Sequence, residues 1–446
     1  MQDIAVIGAG ITGVTTAYSL LERGYRVTVY DRDRYAAMQT SFANGGQLSA
    51  SNAEVWTQLS TILKGLKWMF RRDAPLLVSP RPDWHKLSWM AEFVANIPHY
   101  EANTVKTVRL ALAAREHLHA WAERESIEFD HETRGIMHVC TDRKGFEHAK
   151  KVSLLLAKGG LEREELSPER MREIEPALAG EFVGGFLTPS DSTGDIHKYT
   201  RGLADACVRR GASFRYDTDV LSLAHEGENA RDGGFGVRVR HRRGGKGVLS
   251  IATAGETAGL DVEETRHDAV VVCAGMHSRR FAAMLGDRVN VYPVKGYSIT
   301  VPLADTTSRE AAPWMSLLDD GAKIVTSRLG EGRLRLAGTA EFSGPNRDIR
   351  SDRVEPLIAW CRRHFPAIDT EHVVPWAGLR PMMPDMLPRV GAGSRPGVFY
   401  NTGHGHLGWT LAAATAELVG DCVRGALPSV GATAVPRTPA AQPARE

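Results

Sequence analysis

Apolar residues run along this chain in three rhythms, and each predicts a different element. Continuous apolar runs too short for a helix mark strands buried on both faces. Ile4–Ile7, Tyr25–Tyr30 and the run within His267–Ser278, which ends in small residues, are of this kind. Helical spacing holds from Ile11 to Arg23, and Gly24 stands where a helix C-cap favours glycine. Strict alternation, the period of a half-exposed strand, runs through Gly234–Arg243 and Arg333–Phe342. Val294–Thr300 reads as a strand with a break at Gly296. Near the end, Gly397–Val423 gives a strand, a loop with Gly403, Gly405 and Gly408, and an apolar helix.

These elements predict an α/β class, α+β overall: a Rossmann-like unit and a discontinuous second unit built on an antiparallel sheet with helices. Residues 1–50, 166–287 and 376–430 are expected to form the first. Residues 51–165 and 288–375 are expected to form the second. The Gly-, Arg-, Lys- and Glu-rich stretch Glu226–Thr265 is expected to decorate a hairpin meander. The low-complexity tail 431–446 is expected to be disordered.

The three glycines between the first strand and helix carry the first chemical signal. Gly8 permits a tight turn, Gly10 lets backbone approach a pyrophosphate, and Gly13 lets the helix pack closely on the strand. The amides of the helix's first turn would face phosphates. Asp31, at the tip of the second strand, suits an adenosine ribose. An acid there serves NAD or FAD alike. The second glycine loop, about 390 residues further on, and the small-residue end of His267–Ser278 favour FAD, whose length needs distant segments.

Composition narrows the partners. With 55 basic and 53 acidic residues the formal charge is +2, which gives no reason to expect nucleic acid. Five cysteines lie far apart without a CxxC pair and read as reduced thiols of a cytoplasmic protein. No basic n-region precedes a cleavage site in residues 1–30, so no signal peptide is expected. One region is unusual. Four of the nine tryptophans, Trp56, Trp68, Trp84 and Trp89, fall close together, and Lys64, Lys67, Arg71 and Arg72 alternate with apolar residues in Leu59–Val94. That segment is a membrane-surface contact, a helical lid or a subunit contact.

Six stretches in order, GAGITG with Asp31, SFANGGQLS at Ser41–Ser49, DSTGDIHKYTRGLA at Asp191–Ala204, YPVKGYSIT at Tyr292–Thr300, WAGLRPMMPDMLPRVG at Trp376–Gly391 and GHGHLGW at Gly403–Trp409, give the chain its resemblance. It resembles the D-amino-acid oxidase-like flavoproteins, and among them the bacterial D-amino acid dehydrogenases of small-subunit type, over residues 1–428. The resemblance implies oxidative deamination of D-amino acids by hydride transfer to FAD, with electrons passed to a quinone-type acceptor. It also raises the weight of a peripheral place on the inner face of the cell membrane. A glycine/sarcosine-type oxidase and an electron-relay subunit are the alternatives. The preferred D-amino acid, D-proline types included, and any homo- or hetero-oligomer stay open.

Cofactor contacts are expected from Gly8, Gly10, Ile11, Thr12, Gly13, Asp31 and Arg32; from Ser41, Asn44, Gly45, Gly46, Gln47 and Leu48; from Val220 and Gly275; and from Gly403, His404, Gly405, Leu407, Gly408, Trp409 and Thr410. Gly45 and Gly46 would let backbone pass close to the flavin ring, or else belong to an ordinary surface loop. Arg380 sits in a stretch read as a loop stiffened by Pro381, Pro384 and Pro388, and its planar fork can clamp a carboxylate. The resemblance assigns that arginine to the substrate carboxylate. Tyr297 either closes the pocket on the same carboxylate or is a sheet tyrosine. His404 and His406, with no acid or cysteine cluster beside them, point away from metal and toward donation to the flavin's polar edge or shaping of the pocket. His406 is a further candidate for an active-site base.

Overall fold

The structure, a computed structural model, describes residues 1–62, 76–227, 236–244 and 262–427. Trp68, the basic residues Lys64, Lys67, Arg71 and Arg72, and the tail 431–446 lie outside the described residues, as do parts of Glu226–Thr265.

A six-stranded sheet holds the opening segment. Its strand order is Arg389–Ala392, Val398–Thr402, Ala269–Val272, Asp3–Ile7, Arg26–Tyr30, Ser213–Arg215. Neighbours run parallel except the first pair. The central strands are apolar throughout because helices or a second sheet cover both faces. Ile4, Val6 and Val271 pack with the helices, while Ala5, Ile7 and Val270 pack with a three-stranded antiparallel layer. That layer is Thr218–Glu226, Gly236–Arg243 and Val262–His267. In its middle strand Val237, Val239 and His241 are buried and Arg238 and Arg240 exposed, as the alternation requires.

The helix Ile11–Glu22 ends with Gly24 at φ +81° and lies against the C-terminal helix Gly408–Ala426. The two approach closely. Thr15 Oγ1 donates to the Ala412 carbonyl at 3.3 Å and Ser19 Oγ to Ala416 at 3.0 Å. A side chain on Gly420 would come within 2.7 Å of Ser19 Oγ.

A second, nine-stranded mixed sheet is built around Tyr292–Pro302, Arg333–Phe342 and Val374–Met382. Arg333–Phe342 is buried along almost its full length and is not the half-exposed strand its alternation suggested. Leu334 and Leu336 pack against Val354, Leu357 and Trp360 of the helix Ser351–His364. The polar positions face a second covering layer. Arg335 donates to Thr300 Oγ1 at 2.8 Å and to the Asn44 carbonyl at 3.1 Å. Two strands of this sheet, Gly184–Thr188 and Val374–Met382, come wholly or largely from segments that the sequence pattern grouped with the cofactor unit. Their partners, Ile136–Cys140 and Tyr292–Pro302, are distant in sequence and invisible to local periodicity.

The tryptophan-rich segment divides. Trp89 is 3% exposed and donates from Nε1 to the Met382 carbonyl at 2.9 Å, whereas Trp84 is 85% exposed. No helix among the described residues is long and apolar enough to cross a membrane.

Arg23 ties the first helix to the last. Its NH2 meets Glu417 Oε2 at 3.1 Å and Asp421 Oδ1 at 2.7 Å, with the arginine largely buried. Arg23→Ala is expected to lower unfolding free energy by about 1–3 kcal/mol, the range for losing hydrogen bonds to charged groups. Urea denaturation checks it, and an unchanged midpoint would show that apolar packing alone joins the helices.

Candidate active site

One cavity of ≈ 480 Å³ reaches from the glycine turn to Arg380 and His406 and on to Glu54, Asp320 and Lys323. Every residue expected at the cofactor lines it except Gly13 and Leu48. Leu48 is a core residue on a two-residue strand paired with Ser192. Gly13 is needed inside the protein: a side chain there would overlap the Gly8 carbonyl oxygen.

The glycine turn thus divides into structural and open positions. Gly8, at φ +108°, has no room for a side chain because the Cys273 carbonyl lies 2.7 Å from where it would stand. At Gly10 the nearest atom to such a side chain is Ser41 Oγ at 3.5 Å, and at Gly275, φ +53°, nothing lies within 4 Å. These two glycines leave open space on the cavity wall. The Ile11 amide, first of the helix, donates to Ser41 Oγ at 3.0 Å. Asp31 accepts from the Ala9 amide at 2.5 Å and the Asp33 amide at 2.8 Å. Burial pushes its carboxyl up to about 6 against those hydrogen bonds. An exposed helix N-terminus, an open glycine and a fixed carboxylate at the next strand's tip are the parts a dinucleotide needs.

Gly45 and Gly46 are neither a surface loop nor free of protein contact. Side chains there would come within 2.7 Å of Val325 and 3.0 Å of Ser327. Their missing side chains let Ala43–Gln47 lie flat on the large sheet. Ser327 Oγ donates to the Gly45 carbonyl at 2.7 Å and Gln47 Nε2 to Ser316 Oγ at 2.8 Å. Asn44 Oδ1 accepts the Gly46 amide at 2.9 Å and fixes the turn.

Both histidines are neutral at pH 7, because burial pushes His404 down to about 3 and His406 to about 4. His406 Nε2 faces the Asn52 carbonyl at 3.3 Å, which can only accept, so that nitrogen carries the single proton. Its Nδ1 is left as an acceptor with no partner among the described residues. His404 Nε2 bonds Thr415 Oγ1 at 2.9 Å, while that hydroxyl donates to Ala412, so His404 Nδ1 is likewise a lone pair. In these tautomers each Nδ1 accepts and does not donate. Thr410 Oγ1 accepts the Ser49 amide at 3.2 Å, and Trp409 packs edge-on to Phe129 with its ring nitrogen unpaired among the described residues.

Arg380 stands on a strand, not in a loop. Val374–Met382 is an edge strand, which is why its prolines are tolerated, and Arg380 pairs with Val294. Its guanidinium lies over Gly296, filling the space of the absent side chain. NH1 donates to the Thr339 carbonyl at 2.8 Å. Thr339, at φ +61°, sits where the ladder slips between Lys295 and Tyr297, and the bulge aims its carbonyl. Among the described residues no carboxylate pairs with Arg380. Burial lowers its pKa to about 10, which still leaves it charged at pH 7.

Tyr297 borders the cavity, but its hydroxyl hydrogen is taken within the sheet. The ring is 1% exposed in the core of the large sheet, and its hydroxyl donates to Glu341 Oε2 at 3.0 Å. Glu341 is also paired with buried Lys295 at 3.4 Å.

Sequence reasoning missed the residues just after the ANGGQ stretch. Asp191 accepts the Ala50 and Ser51 amides, both at 3.0 Å, and pairs with Arg115 at 2.7 Å. This clamp carries Asn52, Glu54 and Trp56 into the cavity wall. Trp56, grouped above with a possible membrane contact, stacks on His406 with ring centres 4.8 Å apart. A charged residue among small ones in SASNAEVW was the available signal.

Comparison with known proteins agrees with this geometry. Residues 3–422 match the family described as FAD dependent oxidoreductase. The chain is 59% identical over 428 residues to D-amino acid dehydrogenase 3 of Mesorhizobium japonicum, covering 96% of this chain and 98% of the relative. It is 39% identical to D-amino acid dehydrogenase of Paramagnetospirillum magneticum, covering 95% of each. In fold it is similar to L-proline dehydrogenase from P. horikoshii, with TM-score 0.70 at 18% identity over 95% of this chain and 93% of that one. Glycine oxidase from Geobacillus kaustophilus gives TM-score 0.69 at 20% identity over 95% of each. The chain belongs to the FAD dependent oxidoreductase family, and its cofactor is FAD.

The two classes of glycine respond differently to the same substitution. Gly10→Ala is expected to fold normally and to hold FAD less tightly, by roughly tenfold to a hundredfold, as for loss of one or two hydrogen bonds to charged phosphate. Gly13→Ala is expected to yield little folded protein. Flavin absorbance and circular dichroism of the two variants check this, and full flavin content in folded Gly10→Ala would remove Gly10 from the cradle.

Proposed function

We propose that this FAD dependent oxidoreductase is a D-amino acid dehydrogenase that removes hydride from Cα of the substrate and yields an imino acid. The observation that carries the proposal is Arg380: a half-buried guanidinium with no carboxylate partner among the described residues, opening on the cavity that also contains Gly10 and Asp31. The kinship with proteins named D-amino acid dehydrogenase supports the stereochemistry and the class of electron acceptor.

Bound FAD supplies the two-electron acceptor. The chain's own residues do the rest. Arg380 has NH1 tethered to Thr339 and turns its remaining donors to the α-carboxylate, fixing the substrate by a charge-assisted pair. His406, held by Asn52 and by the face of Trp56, offers Nδ1 as a neutral acceptor for an α-amine hydrogen. Its depressed pKa makes it a positioning group and a poor base, so the substrate's ammonium proton goes to water and not to this ring, and the free amine is the reactive form. Gly10, the helix amides and Asp31 would hold the pyrophosphate and ribose, and Gly275 the cofactor's passage across the sheet. The imine leaves to hydrolyse in water to a 2-oxo acid and ammonia, or stays cyclic from a proline analogue. Electrons would then pass to a quinone-type acceptor.

Anaerobic mixing with D-alanine or another D-amino acid should bleach the flavin, and a soluble quinone should restore it faster than air. Rapid recovery in air alone would make the protein an oxidase. No bleaching by any D-amino acid would defeat the proposal.

Arg380→Ala should cost about 3–5 kcal/mol in kcat/KM, the range for stranding one member of a buried charge pair. Arg380→Lys should recover only part, since it keeps charge and loses the fork. The flavin spectrum should stay near that of the parent. Parental kcat/KM in the Ala variant would show that another group holds the carboxylate, and loss of flavin would make the strand's role structural.

A further inference from the structure

Glu54 stands on the cavity wall, and its two carboxylate oxygens have different fates. Oε1 accepts from Tyr100 Oη at 2.7 Å and from Gln58 Nε2 at 2.6 Å, and His148 Nε2 approaches it at 3.5 Å. Oε2 accepts nothing among the described residues, and it is not sealed from the cavity that Glu54 lines. Burial opposes ionisation, yet the hydrogen bonds from His148 and Tyr100 and the nearby Lys323 hold the carboxyl below its usual value. The neighbouring acid differs: Asp320 is already engaged by His138 at 3.1 Å and Lys323 at 3.2 Å. A carboxylate pinned by one oxygen and open at the other is a preorganised acceptor.

Which part of a substrate would reach it? The α-nitrogen lies two bonds from the carboxylate carbon. With that carboxylate on Arg380 and the α-amine at His406 Nδ1, the next polar group along the wall is Glu54, carried between Asn52 and Trp56, which contact His406. Glu54 is thus left for the side-chain end of the substrate.

We propose that Glu54 Oε2 selects D-amino acids whose side chain carries an N–H or O–H donor. This rests on Arg380 as the carboxylate clamp. It adds a specificity residue, because a site built to hydrogen-bond a donor leaves its acceptor unpaired when an apolar analogue binds.

Glu54→Gln gives a directed test. The donors converging on Oε1 keep the amide oxygen there, so the NH2 takes the place of Oε2 and the acceptor becomes a donor of almost equal size. Holoenzyme kcat/KM is measured for two near-isosteric pairs, D-ornithine against D-norleucine and D-serine against D-2-aminobutyrate. The donor-to-apolar ratio is expected to fall by about tenfold or more in at least one pair, and the responding pair fixes the reach of Glu54. Glu54→Asp, which keeps the charge one methylene shorter, should retain part of the ratio. Flavin content and melting temperature verify that both variants fold. Unchanged ratios in both pairs, or an equal loss on all four amino acids, would overturn the proposal. Failure of every D-amino acid to bleach the parent flavin would instead strike the underlying activity.

Discussion

The Gly8 carbonyl oxygen fills the place where any side chain at residue 13 would stand, and the Cys273 carbonyl does the same to residue 8. These two exclusions press the first helix onto the ends of two parallel strands. Only at that separation do the helix N-terminus, Asp31 and Gly275 border one space. The last helix then meets the first closely enough for Ser19 to bond Ala416 and for a side chain at Gly420 to displace Ser19 or Arg23. Placement of the second glycine loop, and with it His404 and His406, follows from that contact.

The other wall of the cavity depends on the large sheet. Its Thr339 bulge turns one carbonyl toward Arg380, and Gly296 leaves the guanidinium a place to lie. Lys295, Tyr297 and Glu341 satisfy one another beside it, while half-buried Arg380 has no carboxylate partner among the described residues. A partly buried charge without a partner costs folding free energy. On the proposed function, a bound carboxylate would offset that cost.

Short-range features were legible because their causes are short-range. Ile4–Ile7, the helix ending before Gly24 and the alternation through Arg238 and Arg240 depend on residues within one turn or one strand. The division of labour among the glycines was not legible. Gly10 and Gly13 look alike in sequence, and only the Gly8 carbonyl separates them. Proline density around Arg380 suggested a loop, since the strand that accepts it is some 80 residues upstream. Tyr297 could be resolved only by seeing Glu341 take its hydrogen. Glu54 escaped notice because Tyr100, Gln58 and His148 come from three separate places in the chain.

The pairing of the first and last helices also bears on how the chain comes off the ribosome. The first strand, helix and Asp31 emerge well before the strand Val398–Thr402 and the helix Gly408–Ala426. Until then Thr15, Ser19 and Arg23 have no partner helix. A nascent chain therefore carries one half of that helix pair through the synthesis of almost 400 further residues, with an apolar helix face uncovered. Closure of that contact, which spans almost 400 residues, is a late event of the kind that makes large domains slow to fold and dependent on protection while they wait.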